Sequence, residues 1–245
     1  MERKYWVPAL ERANLILNKI ANGHGKLKLI ELSKETGINK SSIYSLLRTM
    51  ESLEWVTKDR SEAYALGRAM VFYNQSFLRS DNLVERFLES SPSVVENIGE
   101  SVQLSMLDGN EIVYLAKKEG PSLVRLISEP GMRFPAYATA MGKMMLSALS
   151  EDNVKELLAD APLNSLTPNT ITDLDRLLEE LDGIRKNGFA IDHEEVIQGF
   201  ICVAAPIRNP SGHTIAAIST SMLKHVWELK KDMAVSEILR LAEQL

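Results

Sequence analysis

The sequence predicts an α+β chain in two parts, and three observations carry that prediction. Apolar residues recur with the helical period as far as Leu53, then give way to short runs flanking a polar tip. From Val102 onward, stretches alternating with period two are interleaved with amphipathic ones, the pattern of helices packed on a largely antiparallel sheet. The charge divides in the same way. Residues 1–80 hold 13 Lys and Arg against 8 Asp and Glu, whereas residues 81–245 hold 15 against 25, within a chain of formal charge −5. A basic front end on an acidic remainder suits a nucleic-acid-binding module joined to a domain of another kind. The expected boundaries are 1–66, a connecting helix over 67–80, and 81–245.

In the first part, Pro8 to Ala21 reads as an amphipathic helix, with Pro8 suited to a first turn. Leu29 to Thr36 is a second helix. Gly37 can take the positive φ of a tight turn, and Asn39 is a sound N-cap for a third. On that third helix Ile43, Leu46, Leu47, Met50 and Leu53 form one apolar face. The opposite side carries Ser41, Tyr44, Ser45 and Arg48, with Lys40 and Ser42 at its start. Short hydroxyls, a flat ring and a cation suit base edges and phosphates, although a solvated polar face has the same composition. Two short strands, Trp55-Val56 and Ala63 to Leu66, flank the tip Lys58-Asp59-Arg60-Ser61-Glu62. The whole reads as a winged helix-turn-helix, with Lys58 and Arg60 on the wing as candidate phosphate contacts. Leu66 to Phe77 reads as the connecting helix.

The second part opens with an amphipathic helix from Leu83 to Ile98, expected to break near Ser90-Ser91-Pro92. Val102, Leu104 and Met106, then Ile112, Val113 and Leu115, flank the turn Asp108-Gly109-Asn110 and predict a hairpin. Leu123 to Ile127 is expected as a third strand. Helices follow over Ala138–Leu149, from Ser150 to Leu158, and over Leu174–Lys186. Short strands are expected at Phe189–Ile191, Ile201–Ile207 and Ile215–Thr220, then a last helix over Val226–Ala242.

Several chemistries leave no trace in the sequence. There is no phosphate-cradling Gly-rich loop, no HExxH, no CxxC pair and no GxSxG elbow. The lone Cys202 rules out an intrachain disulfide and suits a reducing, cytoplasmic setting. The N-terminus resembles neither a signal nor a transit peptide, and no apolar run reaches the roughly 20 residues of a membrane span. Cys202 has two readings: a nucleophile assisted by His193 in a fused enzyme, or a small buried strand residue, which its flanks Ile201, Val203 and Ala204 favour. Asp192-His193-Glu194-Glu195 can be read as metal ligands or as a solvated loop, and no second cluster of defined spacing supports a metal. No cofactor is expected. Asp192 closes one strand, Cys202 lies on the next, and Ser219 and Ser221 share a face of the last, being two apart. Ala138-Thr139-Ala140-Met141-Gly142 opens a helix whose free N–H groups suit an anion. Whether these segments converge, or the serines are capped in a core, is left open by the sequence.

Several ordered blocks resemble the IclR family of bacterial transcription regulators over essentially the whole chain. They are Leu32 to Ser42, Tyr137 to Lys143, Gly188 to Glu195, Gly199 to Ile207 and Ile218 to Ser221. The resemblance implies winged helix-turn-helix domains with GAF-like α/β effector-binding domains, assembled as a homodimer or a dimer of dimers. It implies binding to double-stranded DNA at a palindromic operator and a response to a small organic acid effector. Carried over by residue, polar effector contacts fall on Asp192, Cys202, Ser219 and Ser221. The helix mouth falls on Ala140 and Met141, and apolar walls fall on Leu123, Leu126, Phe134 and Phe200. Two departures stand out. Family members often have a glycine or small pair where this chain has Ala140-Met141, and often an arginine where it has Ser45.

Overall fold

The computed structural model describes residues 7–23, 27–73, 83–124 and 126–245. The chain divides into two units, Met1–Asp81 and Asn82–Leu245. In the first, helix α1 (Pro8–Asn22) begins with its proline in the first turn, where a missing N–H costs nothing. Helix α2 (Leu29–Thr36) ends at Gly37, whose φ of 70° is the left-handed conformation that a side chain would strain. The Ser33 hydroxyl donates to the Ile38 carbonyl at 2.7 Å and holds the turn. Helix α3 (Lys40–Ser52) is capped by Asn39, whose Oδ1 accepts from the Ser42 N–H at 2.9 Å. Ile43, Leu47 and Met50 of α3 pack with Ile16, Ile20 and Leu32 into one core, while Leu53, expected on that face, is exposed.

Strands β2 (Val56–Lys58) and β3 (Ala63–Leu66) form the wing, and β1 (Leu27–Lys28), which sequence periodicity is too short to reveal, pairs with β3. The Asp59 carboxylate shapes the tip by accepting from the Ser61 N–H, the Ser61 hydroxyl and the Ala63 N–H. Residues 69–73 are helical, as expected of the connector, and 74–80 lie outside the described residues.

The second unit is built on a six-stranded antiparallel sheet, order β6-β5-β4-β9-β8-β7. Its strands are β4 (Val102–Asp108), β5 (Glu111–Lys118), β6 (Arg133–Pro135), β7 (Ala190–His193), β8 (Phe200–Arg208) and β9 (Thr214–Leu223). Alternate residues face opposite sides. Cys202, Ala204 and Ala217 look toward helices α5 (Ala140–Ser147) and α7 (Leu174–Asn187), joined there by α6 (Glu151–Leu158). Ile201, Val203 and Ile218 look toward α4 (Leu83–Ile98) and α8 (Lys224–Gln244).

Two expectations fail here. Helix α4 runs unbroken through Pro92, because Phe87, Ser91, Val94, Val95 and Ile98 share one buried face. The carbonyl that Pro92 leaves without its helical donor belongs to Leu88, on the exposed flank. Leu123, Val124, Leu126 and Ile127 form no strand. The edge of β5 that a third strand would need is taken by β6 and by the turn before it, where Gly131 and Met132 bond to Tyr114. Gly142 fixes the seat of α5: a Cβ there would lie 2.2 Å from the Ala136 carbonyl oxygen.

Candidate functional sites

The polar side of α3 is open. Ser41, Tyr44, Ser45 and Arg48 are exposed, Tyr44 by 56 %. Lys40 and Ser42 stand at the helix start, where the Ser42 N–H is held by Asn39. Among the described residues Arg48 has only a long contact with Glu51, 3.9 Å, so its guanidinium is available. On the wing the two cations differ. Arg60 is exposed at the tip, whereas Lys58 is paired with Glu62 at 2.8 Å and lies over the Tyr64 ring, and this ion pair raises its pKa. Arg12 of α1, exposed and sharing a shallow groove with Ser41, Ser42 and Ser45, adds a cation that reading α3 alone misses.

In the second unit a cavity opens between the start of α5, the strands β7, β8 and β9, and the loop before β6. It holds about 420 Å³ of space free of atoms, its open mouth included. Of the expected residues, Leu126, Phe134, Ala140, Met141, Asp192, Cys202, Ser219 and Ser221 line it. Two do not. Leu123 sits in the loop that forms no strand and is 99 % exposed. Phe200 starts β8 opposite Leu223, two residues along the strand from Cys202 and beyond the cavity. Tyr114, Ile127, Thr139, Val196 and Ile197 complete the lining. Tyr114 meets Phe134 edge-on, ring centres 5.8 Å apart.

The sheet register explains the polar side of the cavity. Asp192 pairs directly with Cys202, and Cys202 with Ser221, so three polar residues cross adjacent strands in one row, with Ser219 two residues away on the same face. At the far side, Thr139 caps α5 by accepting from the Gly142 N–H at 3.0 Å. The N–H groups of Ala140 and Met141 have no partner within the helix and, with the helix dipole, favour negative charge. The Met141 sulfur accepts from the Ser105 hydroxyl at 3.1 Å, which fixes this side chain on the cavity floor.

Asp192 is 3 % exposed. Burial pushes its carboxyl up to about 7 against the opposing pull of the Glu195 N–H, which donates to it at 2.6 Å; the Glu195 charge pushes it further up. Burial likewise holds the Cys202 thiol and the Tyr114 phenol well above their ordinary values, so both stay protonated. His193 projects to the opposite face of β7 from Asp192 and pairs with Ile201 rather than Cys202. It is therefore not placed as a base for that thiol.

Glu195 is not part of a solvated loop, as its sequence neighbourhood suggests. It is buried against Lys143, which is itself 0 % exposed and donates to Glu195 Oε1 at 2.6 Å and Glu180 Oε1 at 3.0 Å. Lys143 is the one charge in Ala140–Ser147 and a buried lysine needs partners, but no local signal names Glu195 as one of them. Among the described residues no group of three His, Cys, Asp or Glu is placed to hold a metal ion. No helix among them is long and apolar enough to cross a membrane.

Comparison with known proteins accounts for both units. Residues 9–60 match the family described as IclR helix-turn-helix domain, and residues 75–245 match Bacterial transcriptional regulator IclR C-terminal. The chain is 32 % identical to the HTH-type transcriptional regulator XynR of Escherichia coli (strain K12), over 89 % of this chain and 86 % of that protein. It is 34 % identical to the HTH-type transcriptional regulator KipR of Bacillus subtilis (strain 168), over 89 % and 85 %. The crystal structure of the Thermotoga maritima IclR superposes with a TM-score of 0.72 at 30 % identity, covering 97 % of this chain and 98 % of that one. With a helix-turn-helix unit in front of a helix-covered antiparallel sheet, and family matches over both, this chain belongs to the IclR family of bacterial transcriptional regulators.

Proposed function

We propose that this regulator is a cytoplasmic, non-catalytic sensor. It binds a palindromic operator as a homodimer or dimer of dimers, and takes a small organic carboxylate into the cavity beside Asp192. Ser41, Ser42, Tyr44, Ser45 and Arg48 face the bases. Lys40 and Arg60 contact phosphates, joined by Arg12 and, more weakly, by the paired Lys58. In the cavity the α5 N–H groups of Ala140 and Met141 receive the carboxylate, while Cys202, Ser219 and Ser221 orient the remainder against Leu126, Phe134 and Tyr114. What carries the reading is the convergence of Asp192, Cys202, Ser219 and Ser221 from three strands on one cavity at a helix N-terminus. For a response, the effector must bind the DNA-competent and incompetent arrangements with unequal affinity, and the connector following Leu66 is the segment through which that difference acts.

A thermal-shift screen of sugar acids, short-chain acids and aromatic acids tests this, followed by operator binding with and without each hit. An acid present at 100 times its Kd stabilises the native state by about 2.7 kcal/mol. If no acid raises the melting temperature, the assignment of the cavity fails.

A further inference from the structure

Among the described residues, the side chains that line the cavity bring no positive charge to meet an anion. Among the described residues that line it there is no Lys, Arg or His, and the one acid is Asp192. Arg125, the only cation in the sequence between Glu119 and Met132, lies outside the described residues. The buried Lys143 is engaged by two carboxylates, Glu195 at 2.6 Å and Glu180 at 3.0 Å, and does not line the cavity. The titratable groups facing Asp192 are Cys202 across the strand pair, Tyr114 from β5 and Glu195 from the following turn, with Lys143 of α5 behind Glu195. The first two stay neutral, Glu195 adds negative charge, and the Lys143 ammonium works against it. A carboxylate entering this space shares a low-dielectric cavity with a second carboxylate, which works against both staying ionised. The partial positive charge of a helix start, roughly half a unit, offsets only part of that repulsion.

We propose, on the reading above that an organic acid is the effector, that the cavity takes its acid together with one proton, which resides on the Asp192 carboxyl and bridges it to the guest. The proton comes from solvent, and Asp192 changes from acceptor to donor. Its Oδ1 keeps the Glu195 N–H, leaving Oδ2 to carry the proton. Since burial already brings this carboxyl to about 7, the uptake falls in the physiological range. The regulator then senses acid and proton jointly, and a given acid concentration is a stronger signal in a more acidic cell.

The test uses the full chain with propionate, glycolate and benzoate, and the corresponding amides, by titration calorimetry between about pH 6 and 8.5. Repeating it in buffers of different ionisation heat counts protons. At least one acid is expected to bind at pH 6 with little proton uptake, to weaken by up to about tenfold per pH unit above 7, and to take up close to one proton at about pH 8.5. Its amide is expected to bind without that dependence. Asp192→Asn retains the acceptor for the Glu195 N–H and makes acid binding independent of pH. If that variant fails to fold, the proton count on the parent protein decides. Acid binding with a flat pH profile and no proton uptake means that the guest meets a cation instead; it overturns this proposal and leaves the acid-sensing reading standing. Failure of these three acids and of every acid in the thermal-shift screen to bind at pH 6 overturns both.

Discussion

Replacing Lys143 with methionine isolates a fully buried charge and its partners in the second unit. The ammonium is fully buried and reaches two carboxylates, of which Glu180 is over a third exposed and can be rehydrated, while Glu195 cannot. Among the described residues Glu195 Oε2 has no partner, and Oε1 relies on Lys143 and on the His193 N–H at 3.3 Å. Lys143→Met therefore strands a charge in the protein interior, a loss of about 3–5 kcal/mol by comparison with other broken buried pairs. In a unit of this size that lowers the melting temperature by roughly 6–20 °C. Glu195→Gln alone leaves Lys143 with Glu180 and is expected to cost less. The double variant, with no charge left to strand, should recover most of the loss. Thermal or urea unfolding of the four proteins completes the cycle. If Lys143→Met costs under about 1 kcal/mol, or if the two substitutions simply add, the pair does not carry the energy assigned to it.

Gly142→Ala forces the start of α5 away from Ala136 and should destabilise the unit by roughly 1–3 kcal/mol, read from the unfolding midpoint. For Asp192, a folded pKa raised from 3.8 to about 7 means that the native state binds more protons between those limits. Stability thus falls as pH rises from about 4 to 7 and levels off beyond. Asp192→Asn should flatten that slope and make the protein more stable than its parent at pH 8, by roughly 2–4 kcal/mol, measured by denaturation at the two ends of the range. Arg48→Ala should cost about 1–3 kcal/mol of operator discrimination in competition binding, whereas Arg60→Ala should weaken all DNA alike and lower the salt slope by about one; equal losses on operator and random DNA for Arg48 would refute its role in base readout. Asn39→Ala should destabilise the first unit by about 1 kcal/mol through its lost cap, detectable in a thermal scan.

The first unit was legible because its signals are local. A glycine at the turn, an Asn cap and an uninterrupted apolar stripe each act within a few residues, and they place α2 and α3 where the structure has them. The second unit was legible where period two was clean, as in β4, β5, β8 and β9, and misleading where composition stood in for context. Leu123 to Ile127 has the residues of a strand, but no free edge is available to it, and Pro92 breaks a helix only where packing lets it. The polar row of the cavity was readable by spacing within β9, but its convergence with Asp192 depends on the register between β7 and β8, which residue types do not encode. Lys143 and Glu195, 52 positions apart, could be suspected singly and not as a pair.

The order of the strands also sets when the effector domain can exist. Its middle is the seam between β4 and β9, where Val102 lies beside Thr220 and the Thr220 hydroxyl reaches the Ser101 carbonyl across 119 positions. On a translating ribosome the early hairpin must wait, one edge bare, until nearly the whole polypeptide has emerged. Closing so long a loop makes assembly slow and late. A nascent chain stalled before Thr214 would hold a complete DNA-reading head and no means of hearing a signal.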